Sequence, residues 1–317
     1  MANMIELIEP ILETAQVKAV AEVGAYAGDF TEVLLRWAAR TGVQITAIDP
    51  LPQPALTKLA EENAELDLIE ATSAEALSQM DLPDALIIDG DHNYHTVSEE
   101  LRTIGERSLG PDMPLLLMHD VAWPHARRDA YYAPDRVPEE YREKMIRGAG
   151  LVPDERGTVL GGLPYKWAAR VEGGERNGVL TALEDFAEGK EQLRVALIPV
   201  FYGLAVVWHE GAPWADEIAA LVSPWDRSPI LARLEANRTR HLAAQHVART
   251  YLHMEEDQSR RQAHFLHLLE GSGAFRLATR FSALLSWLRR SDRPTLLEEF
   301  ETASARDERL DQKPVNV

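Results

Sequence analysis

The chain of 317 residues contains no cysteine. That excludes disulfides, thiolate metal centres and a cysteine nucleophile. No apolar run approaches the roughly 20 residues that a membrane-spanning helix needs. The longest, Val195–Val200 and Leu204–Trp208, are of strand length. The opening segment, MANMIELIEPILETAQ, lacks a basic start followed by an apolar stretch, so no export signal is read and a soluble, cytoplasmic protein is expected. Basic residues are scarce, with 33 Lys and Arg against 51 Asp and Glu and a formal net charge of −18. An acidic surface repels phosphate backbones and anionic lipid, so nucleic acid is not an expected partner. Internal repeats and long low-complexity segments are also missing.

What is present is ordinary globular material, 45% hydrophobic and 26% charged, enough to bury a sizeable core. The first half alternates short apolar runs with amphipathic stretches. The runs Val17–Val23, Gln44–Ile48, Leu66–Ile69, Ala85–Ile88 and Leu115–Met118 read as strands. Between them, Asp29–Thr41, Ala55–Asn63, Ser73–Met80 and Thr96–Ser108 read as helices. This alternation predicts βαβ units, a parallel sheet and helices on both faces. Asn177–Glu188 is a further helix. Leu193–Phe201 and Leu204–His209 are strands whose join, Tyr202-Gly203, is too short for a parallel crossover.

Between Val121 and Arg176 the periodicity fails. So long a stretch inside a domain is a functional loop, a lid or a disordered insert. Ile230–Leu269 and Ala274–Arg290 read as long charged helices. Helix packing or homo-oligomerisation is the favoured role for them. A membrane-surface role for Phe275–Arg290 is the alternative, given Arg276, Arg280, Arg289 and Arg290 beside Phe281, Leu284, Leu285, Trp287 and Leu288. The division expected is a domain over 1–225 with an insert at 122–176, a helical extension over 226–290, and a flexible tail from 291 to 317.

In a parallel sheet, ligands bind beyond the carboxyl ends of the strands. The polar residues there are Gly24, Asp49, Asp89, His92, His119 and Asp120. The turn Glu22-Val-Gly-Ala-Tyr-Ala-Gly28 lets the backbone bend sharply and approach a ligand, though an ordinary βα turn would carry the same glycines. Asp49, at the second strand end, suits the two hydroxyls of a ribose, or merely caps the turn before Pro50.

E-V-G-x-Y-x-G, then A-I-D, I-I-D-G-D-H-N-Y and L-L-L-M-H-D, in that order, resemble the class I S-adenosylmethionine-dependent methyltransferases. Within them the chain is similar to the macrocin-type and other natural-product or sugar O-methyltransferases. The likeness spans roughly residues 15–210. It implies a Rossmann-like α/β fold with a seven-stranded sheet, mostly parallel and closed by an antiparallel hairpin. It also implies that Glu22, Gly24, Ala25, Tyr26, Gly28, Asp49 and Asp89 hold S-adenosylmethionine, with Ser73 near the adenine.

Asp89 and Asp120 end adjacent strands and could share a divalent ion of the Mg²⁺ type. The resemblance implies that such an ion lowers the pKa of an acceptor hydroxyl. Relatives often carry two oxygen-ligand residues at the fifth strand end, whereas this chain has His119-Asp120. Imidazole is a poorer match for a hard ion, so a metal-free site with histidine as base stays open. His92 and His119 are the candidate bases, because histidine titrates near neutral pH. Asp91 and Tyr94 read as structural. In the insert, Trp123, Arg127, Arg128, Tyr131 and Tyr132 offer stacking surface and cationic donors for a small-molecule acceptor, or form a loop packed on its own aromatics. The expectation is methyl transfer to a hydroxyl of a small polar metabolite. The rivals are a nicotinamide-dependent oxidoreductase, disfavoured by the missing G-x-G-x-x-G, and a non-catalytic assembly module.

Overall fold

The computed structural model describes residues 1–289, 294–296, 298 and 299. It divides into two compact units, Met1–Val247 and Ala248–Val317.

In the first unit, a helix α1 (Ile5–Thr14) precedes the alternating series. The series runs β1 (Ala19–Val23), α2 (Asp29–Thr41), β2 (Gln44–Ile48), α3 (Pro54–Glu62), β3 (Leu66–Ile69), α4 (Ser73–Gln79), β4 (Ala85–Ile88), α5 (Tyr94–Arg107) and β5 (Leu115–His119). The insert contributes β6 (Met145–Leu151) and β7 (Leu163–Ala169). Then follow α6 (Val179–Ala187), β8 (Leu193–Ile198), β9 (Leu204–His209) and α7 (Ala215–Val222). The long helix α8 (Pro229–Gly271) starts in this unit, and α9 (Gly273–Arg289) belongs to the second.

The main sheet has seven strands in the order β3-β2-β1-β4-β5-β9-β8. Its first five are parallel and β9 runs antiparallel to both neighbours. This is the Rossmann-like arrangement with an antiparallel closing hairpin. The pleat divides the core in two. Leu115 and Leu117 pack with α1, α2 and α7 on one face, while Leu116 and Met118 pack with α4, α5 and α6 on the other. Both faces are covered, which is why β4 and β5 read as unbroken apolar runs rather than alternating ones.

Helix α2 shows how sequence sets an element. Phe30, Leu34, Leu35, Trp37 and Ala38 recur at helical spacing and are buried. Gly28 before it and Gly42 after it both adopt the left-handed conformation, which glycine takes without steric cost. Truncating the fully buried Leu34 to alanine costs about 2–5 kcal/mol.

The insert is ordered. Strands β6 and β7 pair as an antiparallel two-stranded sheet, and single bridges tie His92 to Ala130 and Ala130 to Ala168. Its pattern was illegible because glycines at 148 and 150 interrupt β6. Helices α1 and α7 extend the sequence-based outline. The first contains an internal proline, Pro10, and buries Ile8, Ile11 and Leu12. The expected strand Leu193–Phe201 is shorter than its apolar run, since β8 stops at Ile198 and the chain turns over at Phe201–Gly203. The expectations for the tail over 291–317 fall largely outside the described residues, as do those for Arg290 and the side chains of Trp287, Leu288 and Arg289.

Candidate functional site

Strand register puts the expected residues in one row. Val23 pairs with Ile48 and with Ile88, and Ile88 pairs with Met118. The next residue of each strand is therefore Gly24, Asp49, Asp89 or His119, all at the carboxyl edge.

Gly24 has φ +87° and lies against the β4 end. A Cβ there would stand 2.3 Å from the Gly90 Cα. Only glycine permits that approach. Asp49 is buried and accepts from the amides of Tyr26 and Leu51, both at 2.8 Å, which fixes the turn around its carboxylate. Ala25 is buried beneath the turn, whereas the Tyr26 ring is exposed. Glu22 is buried within β1 and accepts from Thr31 Oγ1 at 2.6 Å. Burial pushes its carboxyl up to about 7. It ties the glycine turn to α2.

Ser73 is the first residue of α4, and its neighbour Thr72 makes the cap, exchanging hydrogen bonds with Glu75. Beside Ser73 lies Glu100 of α5, which is buried. Neither of its oxygens makes a hydrogen bond of ordinary geometry. Burial raises Glu100 to about 8, and the Ser73 hydroxyl offsets only part of that.

The acid and histidine cluster is the centre of the site. His119 Nδ1 stands 2.9 Å from Asp89 Oδ1 and 3.1 Å from Asp120 Oδ2. Its Nε2 donates to the carbonyl of Phe201 at 2.8 Å. His92 approaches the same carboxylate from another direction, with Nδ1 at 3.1 Å from Asp120 Oδ2. His92 Nε2 meets the Tyr132 hydroxyl at 3.0 Å. The α-amino group of Met1 is 3.6 Å from Asp89 Oδ2. For His119, burial works against charge, but Asp120 and then Asp89 outweigh it and raise the imidazole to about 10. For Asp120, burial is likewise outweighed, and His92 and His119 hold the carboxyl far below the usual range.

Asp89, His119 and Asp120 each offer a ligand atom, all within 4.8 Å of one another, so their spacing suits one shared ion. Two carboxylate oxygens with one imidazole suit a borderline divalent ion such as Fe²⁺ or Zn²⁺ better than Mg²⁺. The Nε2–H bond to the Phe201 carbonyl is the kind of outer contact that orients a ligating imidazole.

Two residues that the sequence reading did not single out complete the wall. His125 stacks on His92 with ring centroids 4.7 Å apart, and Tyr165 of β7 meets His125 edge-on at 4.8 Å. His125 is buried. Burial, then repulsion from His92, lowers it to about 3, so it is a neutral ring at physiological pH. Its place five residues after Asp120 was a visible signal. Tyr165 carried none.

The insert residues separate by role. Tyr132 is exposed and reaches the cluster through its hydroxyl. Trp123 is half-buried against Ala149, Leu151 and Ala168. Arg127 pairs with Glu184 on α6 at 2.5 and 2.7 Å. Arg128 and Tyr131 are framework residues, a correction to their expected place against the acceptor. Arg128 is fully buried and donates to the carbonyls of Ala169 at 2.7 Å and Arg156 at 2.8 Å. Tyr131 is also buried. It donates to Asp129 and accepts from the Glu143 amide. Tyr94 bonds to Asp185 at 2.6 Å, which ties α5 to α6.

Residues 21–121, from β1 to just past β5, match the family model described as a methyltransferase domain. That stretch is a methyltransferase domain. No protein of curated function matches the sequence. Among solved structures, the chain resembles the S-adenosylhomocysteine-bound PaMTH1 of Podospora anserina. Identity is 17%, covering 66% of this chain and 80% of that one, with a TM-score of 0.40. It also resembles a Burkholderia thailandensis 1,6-didemethyltoxoflavin N1-methyltransferase, at 14% identity over 66% and 78% of the chains and a TM-score of 0.36. An O-methyltransferase of neocarzinostatin biosynthesis is similar at 16% identity over 66% and 55%, with a TM-score of 0.38. These likenesses are distant, and they do not bear on the acceptor. Among the described residues, no helix is long and apolar enough to cross a membrane.

Proposed function

We propose that the methyltransferase transfers the methyl group of S-adenosylmethionine to a hydroxyl of a small polar metabolite, such as a glycoside or other natural product. The cofactor lies across Gly24, Ala25, Tyr26 and Gly28, with Asp49 on the ribose and Ser73 near the adenine. The observation that carries the choice of a hydroxyl is the Tyr132 contact. A phenolic O–H already stands 3.0 Å from His92 Nε2, and an acceptor hydroxyl would replace it there.

Asp120 accepts from His92 Nδ1–H, which leaves Nε2 with the lone pair that a general base needs. The acceptor oxygen forms its new bond to the methyl carbon as the carbon–sulfur bond breaks. The bonding pair stays on sulfur, giving S-adenosylhomocysteine, and the hydroxyl proton passes to His92 Nε2. His119 is the second candidate base, but both its ring nitrogens are engaged. A divalent ion, if bound, would be held by Asp89, His119 and Asp120 and would lower the pKa of the acceptor hydroxyl.

Trp123, Arg127 and Tyr132 lie where the insert could select the acceptor. Exposed apolar residues on α8 and α9, including Leu252, Phe265 and Phe281, support homo-oligomerisation through the C-terminal helices. Incubation with methyl-labelled S-adenosylmethionine and a panel of hydroxylated glycosides, phenols and amines tests the reading. Label on an oxygen, lost in His92→Gln, supports it. Label on amine nitrogen alone contradicts it.

A further inference from the structure

The C-terminal helix reaches the site through a turn that nothing in the cofactor-binding pattern explains. Between β8 and β9 the chain passes Phe201, Tyr202 and Gly203 with φ of 48°, 72° and 92°. Two consecutive side-chain-bearing residues in the left-handed region persist only where the surroundings hold them.

The holding group is Glu235 of α8, a buried carboxylate. Its Oε2 accepts from the Phe201 amide at 3.0 Å and its Oε1 from the Tyr202 amide at 2.8 Å. Arg238, one helical turn on, clamps the same carboxylate at 2.8 and 2.6 Å. Its guanidinium lies 4.4 Å from the Tyr202 ring centroid and 5.5 Å from that of Phe201. The turn is also tied to the end of β5, since the Ala122 amide donates to the Tyr202 carbonyl at 2.7 Å.

The carbonyl between the two clamped amides is that of Phe201, and it accepts from His119 Nε2. Tyr202 meets the same imidazole edge-on at 6.4 Å. A carbonyl can only accept, so Nε2 donates here, and the contact turns Nδ1 toward Asp89 and Asp120.

We propose that Glu235 and Arg238 are positioning residues of the methyltransferase site, which set the orientation of His119 by holding the Phe201–Tyr202 turn. The start of the C-terminal helix is thereby part of the site's second layer. The inference rests on the proposed function only in treating the His119 cluster as the reacting centre.

Nitrogen-15 histidine NMR of the full chain near neutral pH tests it, with the His119 signal identified by its loss in His119→Gln. In the wild type the Nε2-bound proton is visible at low field and exchanges slowly with water. In Glu235→Ala that resonance disappears, or its exchange quickens by about tenfold or more. Glu235→Gln retains part of the protection, because its amide oxygen still accepts from one turn amide. Leu12→Ala, a core change on α1, lowers the melting temperature and leaves the His119 resonance in place. An unchanged resonance in folded Glu235→Ala overturns the proposal. If that variant does not fold, an unchanged resonance in both Glu235→Gln and Arg238→Ala overturns it. S-adenosylhomocysteine titration of the same wild-type sample is independent. A wild type that binds none would remove the functional reading and leave the positioning result standing.

Discussion

His92 Nδ1 and Asp120 Oδ2 lie 3.1 Å apart, joining the loop after β4 to the end of β5. Asp120 holds this contact with a left-handed backbone, at φ 61°. In the proposed reaction, this contact occupies Nδ1 and leaves Nε2 facing the acceptor. His92→Gln is expected to lower methyl transfer by about 10²–10⁴-fold, the usual worth of a positioned base. Asp120→Asn lowers it too, by freeing the imidazole to take the wrong tautomer. Turnover with labelled donor, set beside S-adenosylhomocysteine affinity, checks this. Affinity that falls in step with turnover would place His92 in the cofactor site instead.

Tyr132 touches the proposed base through its hydroxyl, 3.0 Å from His92 Nε2. Tyr132→Phe removes its hydroxyl from His92 Nε2 and is expected to keep turnover within about threefold of wild type. A collapse in turnover at saturating acceptor would make the hydroxyl a participant in proton transfer.

Gly24 is irreplaceable on steric grounds. In Gly24→Ala the new methyl group meets the Gly90 backbone at 2.3 Å, and φ of +87° is unfavourable for any side chain. The expected cost is at least about 3 kcal/mol, read as a lowered midpoint in denaturant unfolding. Gly42→Ala is the milder comparison, since nothing lies within 4 Å of its added Cβ although its φ is +74°.

The strand-end row was legible in sequence because it depends on local signals. An apolar run ends in a polar residue, and parallel pairing brings such ends to one edge. Gly24, Asp49, Asp89 and His119 needed nothing more. Arg128 misled for the opposite reason. A charged residue in an aperiodic segment looks exposed, but here its guanidinium donates to the carbonyls of Arg156 and Ala169 inside the insert. Glu235 and Arg238 gave no signal, because they act on a turn more than thirty residues away through backbone amides that have no side-chain identity.

Glu100 makes stability depend on pH. Its carboxyl titrates at about 8 in the folded protein against 4.5 ordinarily. Between those values the unfolded chain has released a proton that the folded chain keeps, so stability falls as pH rises from 4.5 to about 8. Glu100→Gln removes the titrating group. It is expected to flatten this slope, with a gain over wild type on the order of 4 kcal/mol at most near pH 8. Denaturant unfolding at pH 5 and pH 8 checks this. A wild-type-minus-variant difference that stays constant with pH would show that Glu100 is ionised when folded.

The central claim is that the carboxyl edge of the sheet holds S-adenosylmethionine with Asp49 on its ribose. Calorimetric titration with S-adenosylhomocysteine and, separately, with NAD tests it most directly. The expected result is one S-adenosylhomocysteine per chain with Kd roughly in the micromolar range, weakened about tenfold or more in Asp49→Ala, and no heat from NAD. Tight NAD binding with no S-adenosylhomocysteine binding would contradict it.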